Sequence, residues 1–115
     1  MEHTESTRQK KVGRLVQKEL AGIFQRESRN LFEGAMITVT VVRVSPDLSY
    51  ARVYLSLFQV KKPEELIAQI KLMKKEIRRR LGELVGKQLR IIPDLDFFID
   101  DSLDYFENID RLLKS

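Results

Sequence analysis

Apolar residues recur at three- and four-residue spacing through Val12, Leu15, Val16, Leu20, Ile23 and Phe24, which predicts an amphipathic helix ending near Glu27. Ser6, with Gln9 three residues on, reads as a capping box at its start. The opposite face carries Lys10, Arg14, Gln17, Lys18 and Gln25, and Ser28 to Gly34 is a turn-rich connection. Met36–Val44 has the Thr, Val and Ile content of a strand. Its apolar residues fall on odd positions at Ile37, Val39 and Val41, then on even ones at Val42 and Val44. Such a phase slip marks a bulge or a strand buried on both faces. Ser45-Pro46-Asp47 supplies turn chemistry. A second strand follows, in which Ala51, Val53, Leu55 and Leu57 alternate with Tyr50, Arg52, Tyr54 and Ser56. The short link predicts an antiparallel hairpin.

Pro63 suits the first turn of a helix, and Glu64 and Glu65 complement its dipole. Leu66, Ile70, Met73, Ile77, Leu81 and Leu84 extend one stripe for about six turns, weakened at Gly82 and ended at Gly86. Gln88–Ile92 reads as a third strand interrupted by Pro93, with Leu95–Ile99 an edge segment or a bend away from it. A last helix, capped by Asp101 or Ser102 and spanning residues 102–114, has Phe106, Ile109, Leu112 and Leu113 on its apolar face. The expected fold is therefore α+β: a three-stranded sheet with helices packed on one face, in the order helix, strand, strand, helix, strand, plus a C-terminal helix.

The 115 residues suit one domain, with residues 1–6 mobile at its start. At 43% apolar and 33% charged, the chain is globular and soluble in composition. No apolar run would span a bilayer, and Met1 to Glu5 contains no secretory h-region. Cysteine is absent, so thiolate catalysis and the common cysteine-based metal sites are excluded. A cytoplasmic address follows from these absences.

The net charge of +4 hides an asymmetry. Residues 93–115 carry seven acids against Arg111 and Lys114, a balance of −5, and residues 1–92 carry 19 bases against 10 acids, a balance of +9. A body this basic suits a polyanionic partner. The densest run is Lys71, Lys74, Lys75, Arg78, Arg79 and Arg80, with Glu76 the one acid among them. Like charges three and four residues apart repel along a helix, and phosphates would relieve that repulsion. Lys87 and Arg90 follow, and the first helix adds Lys10, Arg14 and Lys18. The candidate nucleic-acid-binding set, for RNA or DNA, is thus Lys10, Arg14, Lys18, Lys71, Lys74, Lys75, Arg78, Arg79, Lys87 and Arg90, expected to form a nearly continuous positive surface.

Catalytic candidates fare worse. Asp94, Asp96, Asp100 and Asp101 match no metal-ligand spacing and read as caps and solubilising charges. His3 lies near the terminus, and Ser45 and Ser49 have no base in a recognisable motif. Tyr50, Tyr54 and Phe58 alternate on one strand face and could stack bases, although packing against a helix is expected of at least two of them. No enzymatic activity, cofactor, metal or small-molecule substrate is expected.

One stretch, Ser45-Pro-Asp47-Leu48-Ser-Tyr-Ala51-Arg-Val53-Tyr54, resembles the S-x-D-L-x-x-A-x-V-Y hairpin of the ribosome-binding factor A family. Further resemblance lies in Lys11-Val12, Gln17-Lys18-Glu19-Leu20, Gln25-Arg26-Glu27, Ile77-Arg78, Leu81-Gly82, Arg90-Ile-Ile-Pro93-Asp-Leu95-Asp-Phe97 and Asp101-Ser102. These segments keep family order from about residue 8 to residue 103. The resemblance implies a KH-like fold of the second type. It also implies a monomeric cytoplasmic factor that binds the free small ribosomal subunit and its ribosomal RNA, and assists late maturation of that RNA, above all in the cold. Where the family often carries an Ala-x-Gly kink this chain has Met73-Lys74-Lys75, which leaves a kink there open, and from Leu81-Gly82 to Pro93 it is slightly longer than common members. A single-strand RNA-binding KH module and a protein-interaction domain without a ribosomal role are the alternatives.

Overall fold

The computed structural model describes residues 5–100. The C-terminal helix expected over 102–114 therefore lies outside the described residues, as do positions 1–4 of the segment expected to be mobile.

Helix α1 spans Thr7–Leu31, one turn beyond the predicted end. Its start is the expected capping box: Ser6 Oγ accepts from the Gln9 amide at 3.1 Å, and Gln9 Oε1 accepts from the Ser6 amide at 2.8 Å. Strands β1 (Met36–Val44) and β2 (Tyr50–Phe58) form the antiparallel hairpin. The phase slip in β1 is a bulge. Val39 faces Leu55 and Val41 faces Tyr54, leaving Thr40 as the extra residue. That extra residue returns Val42 and Val44 to the buried face already occupied by Val39.

The long helix is two. Helix α2 (Pro63–Leu72) and helix α3 (Lys74–Val85) meet at Met73, whose backbone (φ −95°, ψ 11°) leaves the helical region and whose amide is shared among preceding carbonyls. The break adjusts the apolar stripe: Ile67 and Val85 are buried beside Leu66, Ile70, Ile77 and Leu81, whereas Leu84, expected in the core, is 44% exposed. The third strand also differs from expectation. β3 is Asp94–Ile99, and Gln88–Ile92 forms no strand. Pro93 has no amide to donate, so pairing begins only after it. From there Leu95 and Phe97 alternate inward, 1% and 0% exposed, while Ile91 in the preceding apolar run is 56% exposed.

The sheet order is β1-β2-β3, with β3 parallel to β2 from Tyr50↔Asp94 to Leu55↔Ile99. The apolar faces of all three helices cover one side of it. Phe24 of α1 sits at the centre, its ring centroid 5.8 Å from Phe32 and 6.1 Å, edge-on, from Phe97. Among the described residues no helix is long and apolar enough to cross a membrane.

Candidate nucleic-acid interface

The arginines of α3 are engaged within the protein. Arg78 Nε donates to the Pro93 carbonyl at 3.1 Å and one of its terminal nitrogens to the Ile92 carbonyl at 2.6 Å, with Asp94 at 3.4 Å. It clips α3 to the start of β3. Arg79 pairs with Glu76 at 2.6 Å and Glu83 at 2.5 Å, and Arg80 with Glu76 at 3.0 Å and with Glu27 of α1. Hydrogen bonds from Arg79 and then Arg80 hold the Glu76 carboxyl down at about 2, and Glu76 in return raises both guanidinium groups above their ordinary range. Three of the six bases in the sequence run thus have carboxylate or carbonyl partners.

Lys71, Lys74 and Lys75 remain exposed. Lys74, Lys75 and Arg78 line a cleft at the β3 edge with Tyr50, Asp94, Leu95 and Asp96. The Tyr50 hydroxyl donates to Asp96 at 3.3 Å; burial and then the Asp96 charge push its pKa up. The two acids make this cleft mixed in sign rather than purely positive. Lys71 Nζ lies 5.9 Å from the centroid of the Phe98 ring, which stacks on Tyr54 at 5.5 Å and 29°. Tyr50, Tyr54 and Phe58 sit on the sheet face opposite the core residues Ala51, Val53, Leu55 and Leu57, so among the described residues none of them packs under the helices, contrary to expectation.

Lys10, Arg14 and Lys18 lie elsewhere. Gln9 Nε2 donates to the Val44 carbonyl at 2.8 Å, Gln17 Nε2 donates to the Val39 and Thr40 carbonyls at 3.1 Å each, and Gly13 abuts the Val42 carbonyl. These three residues press α1 onto β1. Each is followed by one of the three bases, turned about 100° further round the helix into solvent. α1 lies over β1 and α2 against β3, the opposite edges of the sheet, so the structure separates these bases from Lys71, Lys74 and Lys75.

Lys87 is exposed in the turn after α3, and Arg90 lines a groove with Arg8 beside the hairpin turn. In that turn Asp47 Oδ1 accepts from Ser45 Oγ, Ser49 Oγ and the Ser49 amide at 2.7, 2.8 and 3.1 Å, bonds that lower its pKa. Leu48 beside it takes a left-handed φ of 64°. The Ser-x-Asp-Leu signature therefore locks a turn.

Arg8, Lys11, Arg26 and Arg29, outside the candidate set, are exposed on α1 with Lys10, Arg14 and Lys18. Their three- and four-residue spacing was the available signal. None of the seven forms an ion pair among the described residues.

The family model for ribosome-binding factor A matches residues 8–113. The chain belongs to the ribosome-binding factor A family. A ribosome-binding factor A of Cytophaga hutchinsonii is 49% identical over 110 residues, 96% of this chain and 83% of that protein. One from Flavobacterium johnsoniae is 47% identical over 95% of this chain and 85% of its own. The crystal structure of ribosome-binding factor A from Thermus thermophilus superposes with a TM-score of 0.66 at 22% identity, covering 79% of this chain and 94% of that one. Structures of this family have the KH-like fold, and the three-stranded sheet with its helices is that fold here. A homology model of a Thermus thermophilus ribosome-binding factor A, as fitted into a cryo-electron-microscopy map of a complex with the 30S subunit, superposes with a TM-score of 0.60 at 25% identity. It covers 76% of this chain and 89% of that one.

Proposed function

We propose that this protein binds the free small ribosomal subunit in the cytoplasm through the phosphates of its ribosomal RNA, and assists late maturation of that RNA as a binding factor without catalysis. Membership of the ribosome-binding factor A family, with a homology model of a relative fitted into a map of a 30S complex, carries the reading. The exposed bases support the physical mode: Lys10, Arg14 and Lys18 at one sheet edge, Lys71, Lys74 and Lys75 at the other, Lys87 in the turn after α3, and Arg90 in the groove it shares with Arg8. Arg78 and Arg79 contribute through the shape of α3 rather than as free charges.

Sedimentation of cell lysate tests it. Co-migration with free small subunits and not with complete ribosomes is expected, with accumulation of incompletely processed small-subunit RNA in depleted cells, most strongly in the cold. If four to six phosphates are neutralised, log affinity falls against log salt with a slope of roughly −3 to −5, at about 0.7 to 0.9 per contact. A slope near zero would transfer the binding to protein contacts and remove the RNA reading.

A further inference from the structure

We infer that the solvent face of α1 is a binding surface for double-stranded RNA, along which the helix tracks phosphates as a rigid rod; the inference deepens the ribosomal-RNA reading and rests on it. Lys11, Arg14, Lys18, Gln25 and Arg29 fall within an arc of about 60° on a helix about 37 Å long, at about 1.5 Å and 100° per residue. Lys10 flanks the arc on one side, Arg8 and Arg26 on the other, and all eight are exposed.

Nothing in the described residues pays for this concentration of charge. No acid occupies the first turn of α1, where the helix dipole favours one, and no ion pair engages the seven bases. By contrast the three arginines of α3 all have internal partners. The rod is also held in a fixed orientation, by its capping box and by Gln9 and Gln17 bonded to β1 carbonyls. In the middle of the helix a Cβ on Gly22 would lie 3.1 Å from an Arg26 guanidinium nitrogen, so the missing side chain is the seat on which that guanidinium lies back over the backbone. This draws positive charge toward the centre of the rod.

The chemistry of the face selects the partner. It carries no aromatic side chain, so it offers no platform for an unpaired base, on which single-strand binders depend. A straight array of cations suits an RNA duplex, which is recognised by its shape and phosphates.

The test uses the full chain, an RNA hairpin and an unpaired oligouridylate with the same number of phosphates, at one salt concentration. The hairpin should bind at least tenfold tighter than the oligouridylate. Lys11→Gln with Lys18→Gln should weaken hairpin binding about tenfold and make the salt slope shallower by about 1.5, two contacts at 0.7 to 0.9 each. Lys61→Gln with Lys62→Gln, a charge-matched pair before α2, should change it less than threefold. Gly22→Ala should cost two- to threefold by unseating Arg26. Thermal melts on each variant confirm folding. Equal loss from both lysine pairs, or an oligouridylate bound as tightly as the hairpin, overturns the inference. Sedimentation separates the two readings. If wild type and the α1 pair variant co-migrate equally with small subunits, the α1 face is wrong and the ribosomal function stands. Wild type that binds the hairpin through α1 but never meets the subunit overturns the ribosomal function and leaves the duplex site.

Discussion

Replacing Arg78 with alanine should destabilise the fold by about 2 kcal/mol, although the residue sits in a run of surface bases. The guanidinium donates to the Ile92 and Pro93 carbonyls at 2.6 and 3.1 Å. A hydrogen bond from a charged donor contributes roughly 1.5–3 kcal/mol when buried. With the side chain 43% exposed, water can replace part of each, which brings the pair down to about 2 kcal/mol in total. The Asp94 ion pair adds little, since that carboxylate is 77% exposed and such pairs contribute at most about 1 kcal/mol. Arg78→Lys keeps the charge but loses the fork that reaches two carbonyls, and should cost about half as much. Asp94→Asn should cost well under 1 kcal/mol. Thermal melts followed by circular dichroism, with urea titrations alongside, read the series; 2 kcal/mol corresponds to a fall of about 8–12 °C for a domain of this size. An Arg78→Ala protein that melts within two degrees of wild type would show that α3 and β3 are held together without this clip. Loss of small-subunit binding by a fully stable Arg78→Ala protein would make the residue an RNA contact instead.

Glu76 predicts a pH dependence. Its carboxyl is lowered from 4.5 to about 2 by Arg79 and Arg80, so its contribution is complete above the ordinary carboxylate range and is lost as pH falls from about 4.5 through 2. Glu76→Gln should flatten that acid limb of a stability–pH curve at low salt, and an unchanged limb would assign the acid sensitivity to other carboxylates. Two glycines of α1 should respond with opposite signs to alanine. A Cβ on Gly13 would stand 3.0 Å from the Val42 carbonyl, so moving α1 off β1 outweighs the helix-propensity gain, for a net loss of about 1 kcal/mol. Gly22 meets only a flexible guanidinium, and its alanine variant should melt higher by up to about 1 kcal/mol. Ser6→Ala removes the cap on the Gln9 amide and should cost about 1 kcal/mol, seen as a lower urea midpoint with an unchanged slope.

The first helix and the hairpin were legible because their information is local. Three-to-four spacing from Val12 to Phe24, alternation from Tyr50 to Leu57, and the phase slip around Thr40 each describe a short stretch of backbone. The position of β3 was not, because Leu89–Ile92 carries a more strand-like composition than Asp94–Ile99, and what decides between them is the register with Tyr50–Leu55 some forty residues away. The candidate interface divides in the same way. The partners of Arg79, Glu76 and Glu83, lie three before and four after it and can be read from the sequence. Arg78 is held by backbone carbonyls and Arg80 partly by Glu27 of another helix, and neither leaves a pattern in the side chains near it. Lys71 beside Phe98 is likewise a meeting of distant segments.

The parallel pairing of β3 with β2 orders the events of folding. An antiparallel hairpin closes across the five-residue turn between Val44 and Tyr50, whereas β3 reaches β2 only after the chain has passed through α2 and α3. Contacts of such sequence separation form late, because the intervening loop must first be closed against its entropy. Until then the core lacks Leu95 and Phe97, the second of which packs edge-on against Phe24. In a chain growing on a ribosome, β2 therefore has no partner for its second edge until the residues of β3 have been synthesised.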